Sequence, residues 1–294
     1  MNRIPMLPLL LFSLMAPLAQ AQSQSDGCEP LIQRSGVVSL AMQAGGRATV
    51  AVLNTNVLPI GMSRTLAQDL GLGVEPVPSR NLLWSAIPAI VGQVSEVPVS
   101  LFGQDLTIEQ MYVMDNTLPF VALSLFMFDD FIIQLDLPKA RLCSLNRSAL
   151  NLKDVANLRM RNNNGRAAVQ VAINQGEPVW LELQLEYPGA LRLNHETAVA
   201  MGFADGQATD SSPGMGAGQA DSLQFGPYEL GNIAVAFPRE NTPSVDGIER
   251  LQRMGRRGGG GGVDIAGAIG YDVLKHFVVT LDMETERLHV FVPQ

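Results

Sequence analysis

Apolar residues alternate with others over Val38, Leu40 and Met42, and again at Val50 and Val52, on the two sides of Gly45. The same alternation returns at Val169, Val171 and Ile173, and at Leu181 and Leu183, on the two sides of Gly176. A period of two marks a strand with one buried face, and a glycine between two such runs marks a hairpin turn. Two β-hairpins are therefore expected. Each leads through an irregular loop into a short helix, Ser63–Leu70 and Asn194–Met201. Ser63 and Asn194 suit the N-cap, because their side chains accept from the first free backbone N–H groups. Gly71 and Gly202 suit the stop.

The two hairpins belong to a longer internal repeat. Gly45–Gly71 can be laid on Gly176–Gly202 without a gap, which matches Val50 and Val52 with Leu181 and Leu183 and places Leu70-Gly71-Leu72 on Met201-Gly202-Phe203. Val121–Asp136 likewise lies on Gly267–Asp282. Both read as a tight turn, one helical turn and a strand ending in Asp, continued after a turn by Ala140–Ser144 and Arg287–Val292. Chance explains one alternating strand, but not two long ungapped correspondences in the same order. The chain reads as mainly β with short helices: one copy over 36–145, a second over 167–294, and a linker over 146–166 that includes Asn162-Asn163-Asn164-Gly165.

A length of 294 residues suits two domains of ordinary size, and 47% hydrophobic against 16% charged residues suits packed structure. The net charge of −8 excludes a general nucleic-acid binder, which needs a basic surface to displace counterions. Arg3, an apolar run over Ile4–Met15 broken only by Pro5, Pro8 and Ser13, and the small-x-small triplet Ala19-Gln20-Ala21 read as a signal peptide over 1–21. The run is too short to span a bilayer, so export to the periplasm or the medium is expected, without stable membrane insertion after cleavage. Cys28 and Cys143 are the only cysteines. In an oxidising compartment an even pair reads as one disulfide; two unpaired thiols are the alternative, since sequence carries no distance.

Met62-Ser63, Leu70-Gly71-Leu72 and above all Ala268-Ile269-Gly270-Tyr271-Asp272-Val273-Leu274 resemble the retropepsin-like aspartic proteases, including their bacterial periplasmic members. The resemblance covers most of 36–145 and 167–292. It implies two tandem β-barrel lobes with a peptide groove between them. The departure lies at the chemistry. Where the family carries Asp-Thr-Gly-Ala, copy one reads Asn54-Thr55-Asn56-Val57, and the ungapped alignment puts Leu185-Glu186-Tyr187-Pro188 in copy two. Such catalysis needs two carboxylates that share one proton. Asn54 has the shape of aspartate but is no base, Leu185 has no polar atom, and Glu186 would be a lone carboxylate. No catalytic residue is assigned. Val57, Tyr187 and Trp84 are the candidate groove-lining residues, with Leu185 and Val57 as an apolar floor. Gly206–Gly218 and Trp84–Gly92 are the candidate flaps.

The remaining motifs are weaker. Of three histidines, His195-Glu196 lacks a second histidine four residues on, so no metal site is assigned, and no cofactor motif is present. Gly258–Gly262 lacks the Lys-Ser/Thr of a phosphate loop and reads as a tether. Arg250, Arg253, Arg256 and Arg257 read as a solvated face or as a docking patch for an acidic partner. Asp129-Asp130 reads as solvated. Three functions remain open: an inactive protease-like protein that binds an extended peptide or protein segment; an active endopeptidase using Glu186 with Asp264 or Asp272; and a structural or assembly subunit.

Overall fold

The computed structural model describes residues 27–34, 37–55, 60–77, 90–128, 131–148, 150–163, 165–203, 214–239 and 263–293. The first half contributes strands β1 (Cys28–Arg34), β2 (Val37–Ala44), β3 (Arg47–Asn54), β4 (Gly61–Ser63), β5 (Ile90–Leu101), β6 (Gln104–Met114), β7 (Val121–Ser124), β8 (Ile132–Asp136) and β9 (Arg141–Leu145). The second contributes β10 (Leu158–Asn162), β11 (Ala167–Ile173), β12 (Val179–Gln184), β13 (Leu191–Leu193), β14 (Met215–Phe225), β15 (Tyr228–Pro238), β16 (Ile265–Gly270), β17 (Val278–Asp282) and β18 (Arg287–Phe291). Helices are short: α1 (Arg64–Asp69), a 3-10 turn (Leu125–Phe128), α2 (Leu152–Val155), α3 (His195–Ala200) and α4 (Tyr271–Leu274). The chain is mainly β, as its alternation predicts. Among the described residues no helix is long and apolar enough to cross a membrane.

The hairpins and caps form where expected. Ser63 Oγ accepts from Leu66 N at 3.2 Å, and Asn194 Oδ1 from Thr197 N at 2.7 Å. Gly71 and Gly202 end α1 and α3 with φ of 66° and 80°, a region that favours glycine.

The same pairings occur in both halves, but not in the ungapped register. Leu40 lies between Leu31 and Ala51, and Val169 between Met160 and Leu181. Ala51 runs parallel beside Val121, and Leu181 beside Gly267. Leu40 thus corresponds to Val169, and Ala51 and Leu53, rather than Val50 and Val52, correspond to Leu181 and Leu183. The burial agrees: Ala51, Leu53, Leu181 and Leu183 are core, whereas Val50 is 38% exposed. The reason is turn length. The first hairpin turns on Gly45-Gly46, the second on a longer loop with Asn174 and Gln175 both at positive φ. By α1 and α3 one further residue has entered, which brings Ser63 level with Asn194 as the ungapped alignment has it.

Four more expectations are corrected. Val121–Ser124 and Gly267–Gly270 are strand, not tight turn, because β7 and β16 are wedged between β3 and β4 and between β12 and β13. The expected linker 146–166 contains α2 and β10, and β10 pairs with both β11 and β18, so it belongs to the second half's sheets. Likewise β1 belongs to the first half, which extends it before residue 36. Of the expected flap, 206–213 lies outside the described residues and 215–218 is regular strand; a Cβ on Gly216 would lie 2.4 Å from the Phe237 ring. Trp84 and 84–89, Asn56, Val57, Asp129, Asp130 and the 250–262 stretch also lie outside them.

One antiparallel sheet joins the halves. Its strand order is β1, β9, β8, β17, β18, β10, three from each half. At its centre Gln134 faces Thr280, which are corresponding residues of the two halves, and Gln134 Nε2 donates to Thr280 Oγ1 at 3.1 Å. At one edge Cys28 faces Cys143, and the two are joined by a disulfide.

Candidate functional site

The strands β3 and β12 end at the same place in space, each beside a parallel partner. Asn54 is level with Ser124, and Gln184 with Gly270. Beyond them the two turns touch. Thr55 Oγ1 accepts from Leu185 N at 3.1 Å and donates to Glu186 Oε2 at 2.6 Å, and Thr55 N donates to the same carboxylate oxygen at 3.2 Å. Thr55 and Leu185 are therefore counterparts, and the counterpart of Asn54 is Gln184, not Leu185. Both are carboxamides, both buried.

Alternation then assigns the faces. Leu183, Leu185 and Thr55 point inward and line a void of about 10 Å³ between the halves, with Leu135, Leu281 and Met283. A space of that size holds one water at most. Leu185, in the turn just after β12, is fully buried in this apolar layer, so it packs, as its place after Leu181 and Leu183 suggests, rather than flooring an open groove.

Gln184 is held by charge. Arg192 donates to Gln184 Oε1 at 2.9 Å, and the guanidinium lies 5.5 Å from the centre of the Tyr187 ring. Tyr187 O–H donates to Leu191 O at 3.3 Å, and its carbonyl accepts from Tyr271 N at 2.7 Å. Burial pushes the phenol up, Arg192 works against this, and Asp272 adds to it. Tyr187 is thus a brace of the turn. Next along β12, Glu182 is buried and paired with Arg166 at 2.7 Å, with Asn163 Nδ2 at 3.3 Å. Burial raises its carboxyl above the ordinary range, against the pull of Arg166, Asn163 and Gln184. Period two in Glu182-Leu183-Gln184-Leu185 places Glu182 and Gln184 on the face opposite the leucines, but the pattern carries no sign that this face too is buried.

The other expected carboxylates lie elsewhere. Asp272, at the start of α4, is exposed and paired with Lys275 at 2.8 Å, and Asp264 is exposed. His195 Nδ1 lies 3.0 Å from Pro238 O, and His289 Nδ1 lies 2.6 Å from Val155 O. Among the described residues no three His, Cys, Asp or Glu side chains converge as metal ligands would.

No family model matches the chain, and no curated protein matches it. Among solved structures it is similar to a retropepsin-like aspartic protease from Rickettsia conorii, at 17% identity over 45% of this chain and 86% of that one, with a TM-score of 0.30. It is also similar to the retroviral protease-like domain of Ddi1 from Leishmania major, at 15% identity over 31% of this chain and 74% of that one, with a TM-score of 0.25.

Proposed function

We propose that this chain is an exported, tandemly duplicated relative of the retropepsin-like aspartic proteases that does no proteolysis and holds an extended peptide or protein segment between its two halves. The observation that carries the reading is the meeting of the two turns. Their geometry suits a shared site, yet the corresponding residues that end β3 and β12 are Asn54 and Gln184. Two carboxamides can donate and accept hydrogen bonds but cannot share a proton as acid and base. Glu186, a carboxylate of the second turn, is engaged by Thr55. Neutral amides retain the means to hold a peptide backbone, as strand addition does through main-chain hydrogen bonds. The reading with Glu186 and Asp272 as an active pair has less support, because Asp272 is exposed and bound to Lys275.

The test is to incubate mature protein with a diverse peptide library from pH 3 to 8, then to map bound peptides by hydrogen exchange. No cleavage is expected, with protection centred on Asn54 and Gln184. Turnover that an aspartic-protease inhibitor blocks and Glu186→Gln abolishes would overturn the inactive reading. Protection confined to distant residues would sink the groove.

A further inference from the structure

Strand β10 changes sheets. Its first residues pair with β18, its last with β11, and the fork between them opens a groove of about 570 Å³. Alternation turns Leu158, Met160 and Leu288 into the core and leaves Arg159, Arg161 and Arg287 exposed in the groove, with the half-buried Trp180 beside them. Arg159 and Arg287 face one another directly across the strand pair.

Like charges directly opposite on paired strands are unfavourable. Arg159 donates only to the neutral Gln170, at 2.9 Å, and Arg287 has no side-chain hydrogen bond or ion pair among the described residues. Arg161 is paired with Glu286, whose other oxygen accepts from Asn162 N at 3.0 Å. Three guanidiniums against one carboxylate make a local cationic site in a chain of net charge −8. The fold does not require it: at the corresponding places in the first half Pro30 faces Arg141, Arg141 is neutralised by Asp136 at 2.9 Å, and Ile32 and Val50 stand for Arg161 and Trp180.

We propose that this groove binds an acidic peptide segment in extended form, with carboxylates at alternate positions and an apolar side chain against Trp180. Arg159 and Arg161 are two residues apart on one strand face, the same spacing that separates alternate side chains of an extended ligand. One carboxylate bridges Arg159 and Arg287, relieving their opposition; the next competes with Glu286 for Arg161. The size suits a few residues of chain, and a long polyanion is opposed by the overall charge. The site is separate from the Asn54–Gln184 turns and does not depend on their role.

The test reads Trp180 fluorescence in a Trp84→Phe background, titrated with acetyl-Glu-Phe-Glu-amide, with the Gln-Phe-Gln analogue, and with inorganic phosphate. The acidic peptide should bind, more weakly as salt rises; the neutral analogue should not. Arg159→Gln and Arg287→Gln, both at exposed positions, should each weaken binding by about tenfold. Glu286→Gln should tighten it, which mere damage to the fold would not do. Equal binding of the neutral analogue, phosphate binding as tight as the peptide, or affinity unmoved by all three substitutions would overturn the proposal.

Discussion

Thr55 works in both directions through one hydroxyl, accepting from Leu185 N and donating to Glu186. Removing it strands a buried N–H and takes a donor from a carboxylate. Thr55→Val should therefore lower stability by about 1–3 kcal/mol, with Thr55→Ser retaining most of it; urea unfolding midpoints of the three proteins decide this. An unchanged midpoint in Thr55→Val would show that the contact contributes nothing. Asn54 and Thr55 were legible as a motif in the sequence, because the first hairpin has a two-residue glycine turn. Gln184 was not, because the second turn is longer and an ungapped alignment runs one residue past it. The buried Glu182 and Arg166 were illegible for another reason: charged residues in a strand ordinarily read as the solvated face, and only the packing shows them paired inside.

At the level of elements, the caps and hairpins followed from local chemistry, whereas the crossings did not. Strand β16 passes so close to β13 that a Cβ on Gly267 would lie 2.0 Å from Arg192 O, and one on Gly270 would lie 2.2 Å from Gly189 O. Backbone cannot yield as a flexible side chain can. Gly267→Ala should thus cost about 3 kcal/mol, at the upper end for overpacking, and should lower the melting temperature far more than alanine at Gly73, where no atom lies within 4 Å and φ is not in the left-handed region. Equal shifts at the two glycines would refute the close crossing. The glycines of this segment read in sequence as a tight turn; they are there for proximity between strands, which one chain's local pattern does not record. The Gly-rich start of β14 misled in the same way, its glycines making room for aromatic rings.

The whole molecule is bound through its middle. Beyond the six-stranded sheet, Arg147, just after β9, reaches Asp282 of the second half through Nε at 3.1 Å and Nη2 at 2.8 Å, and also pairs with Glu284. Burial disfavours the Asp282 charge, but the hydrogen bonds from Arg147 and Thr285 outweigh it and hold the carboxyl below the ordinary aspartate range. A lowered folded value means that the contact stabilises above the unfolded value of about 3.9 and is lost as pH falls through the lowered one. Arg147→Gln should accordingly lose about 1.5–3 kcal/mol at pH 7 and less at about pH 3, below the unfolded value. Equal losses at both pH values would contradict the assignment. What acid releases, neutralisation restores, but nothing obliges the restored contact to form within one chain. Strand β8 can meet β17 of another copy in the same register, with Gln134 again opposite Thr280. Against this, Asn157 ties the connecting segment to β18 through Val290, donating to its carbonyl at 2.8 Å and accepting from its N–H at 2.9 Å. Neutralising acid-treated protein at rising concentration should therefore yield exchanged dimers in growing proportion, more so in Asn157→Ala, as protein concentration approaches the effective concentration that the connecting segment gives the two halves of one molecule; a dimer fraction that does not rise with concentration would refute the exchange.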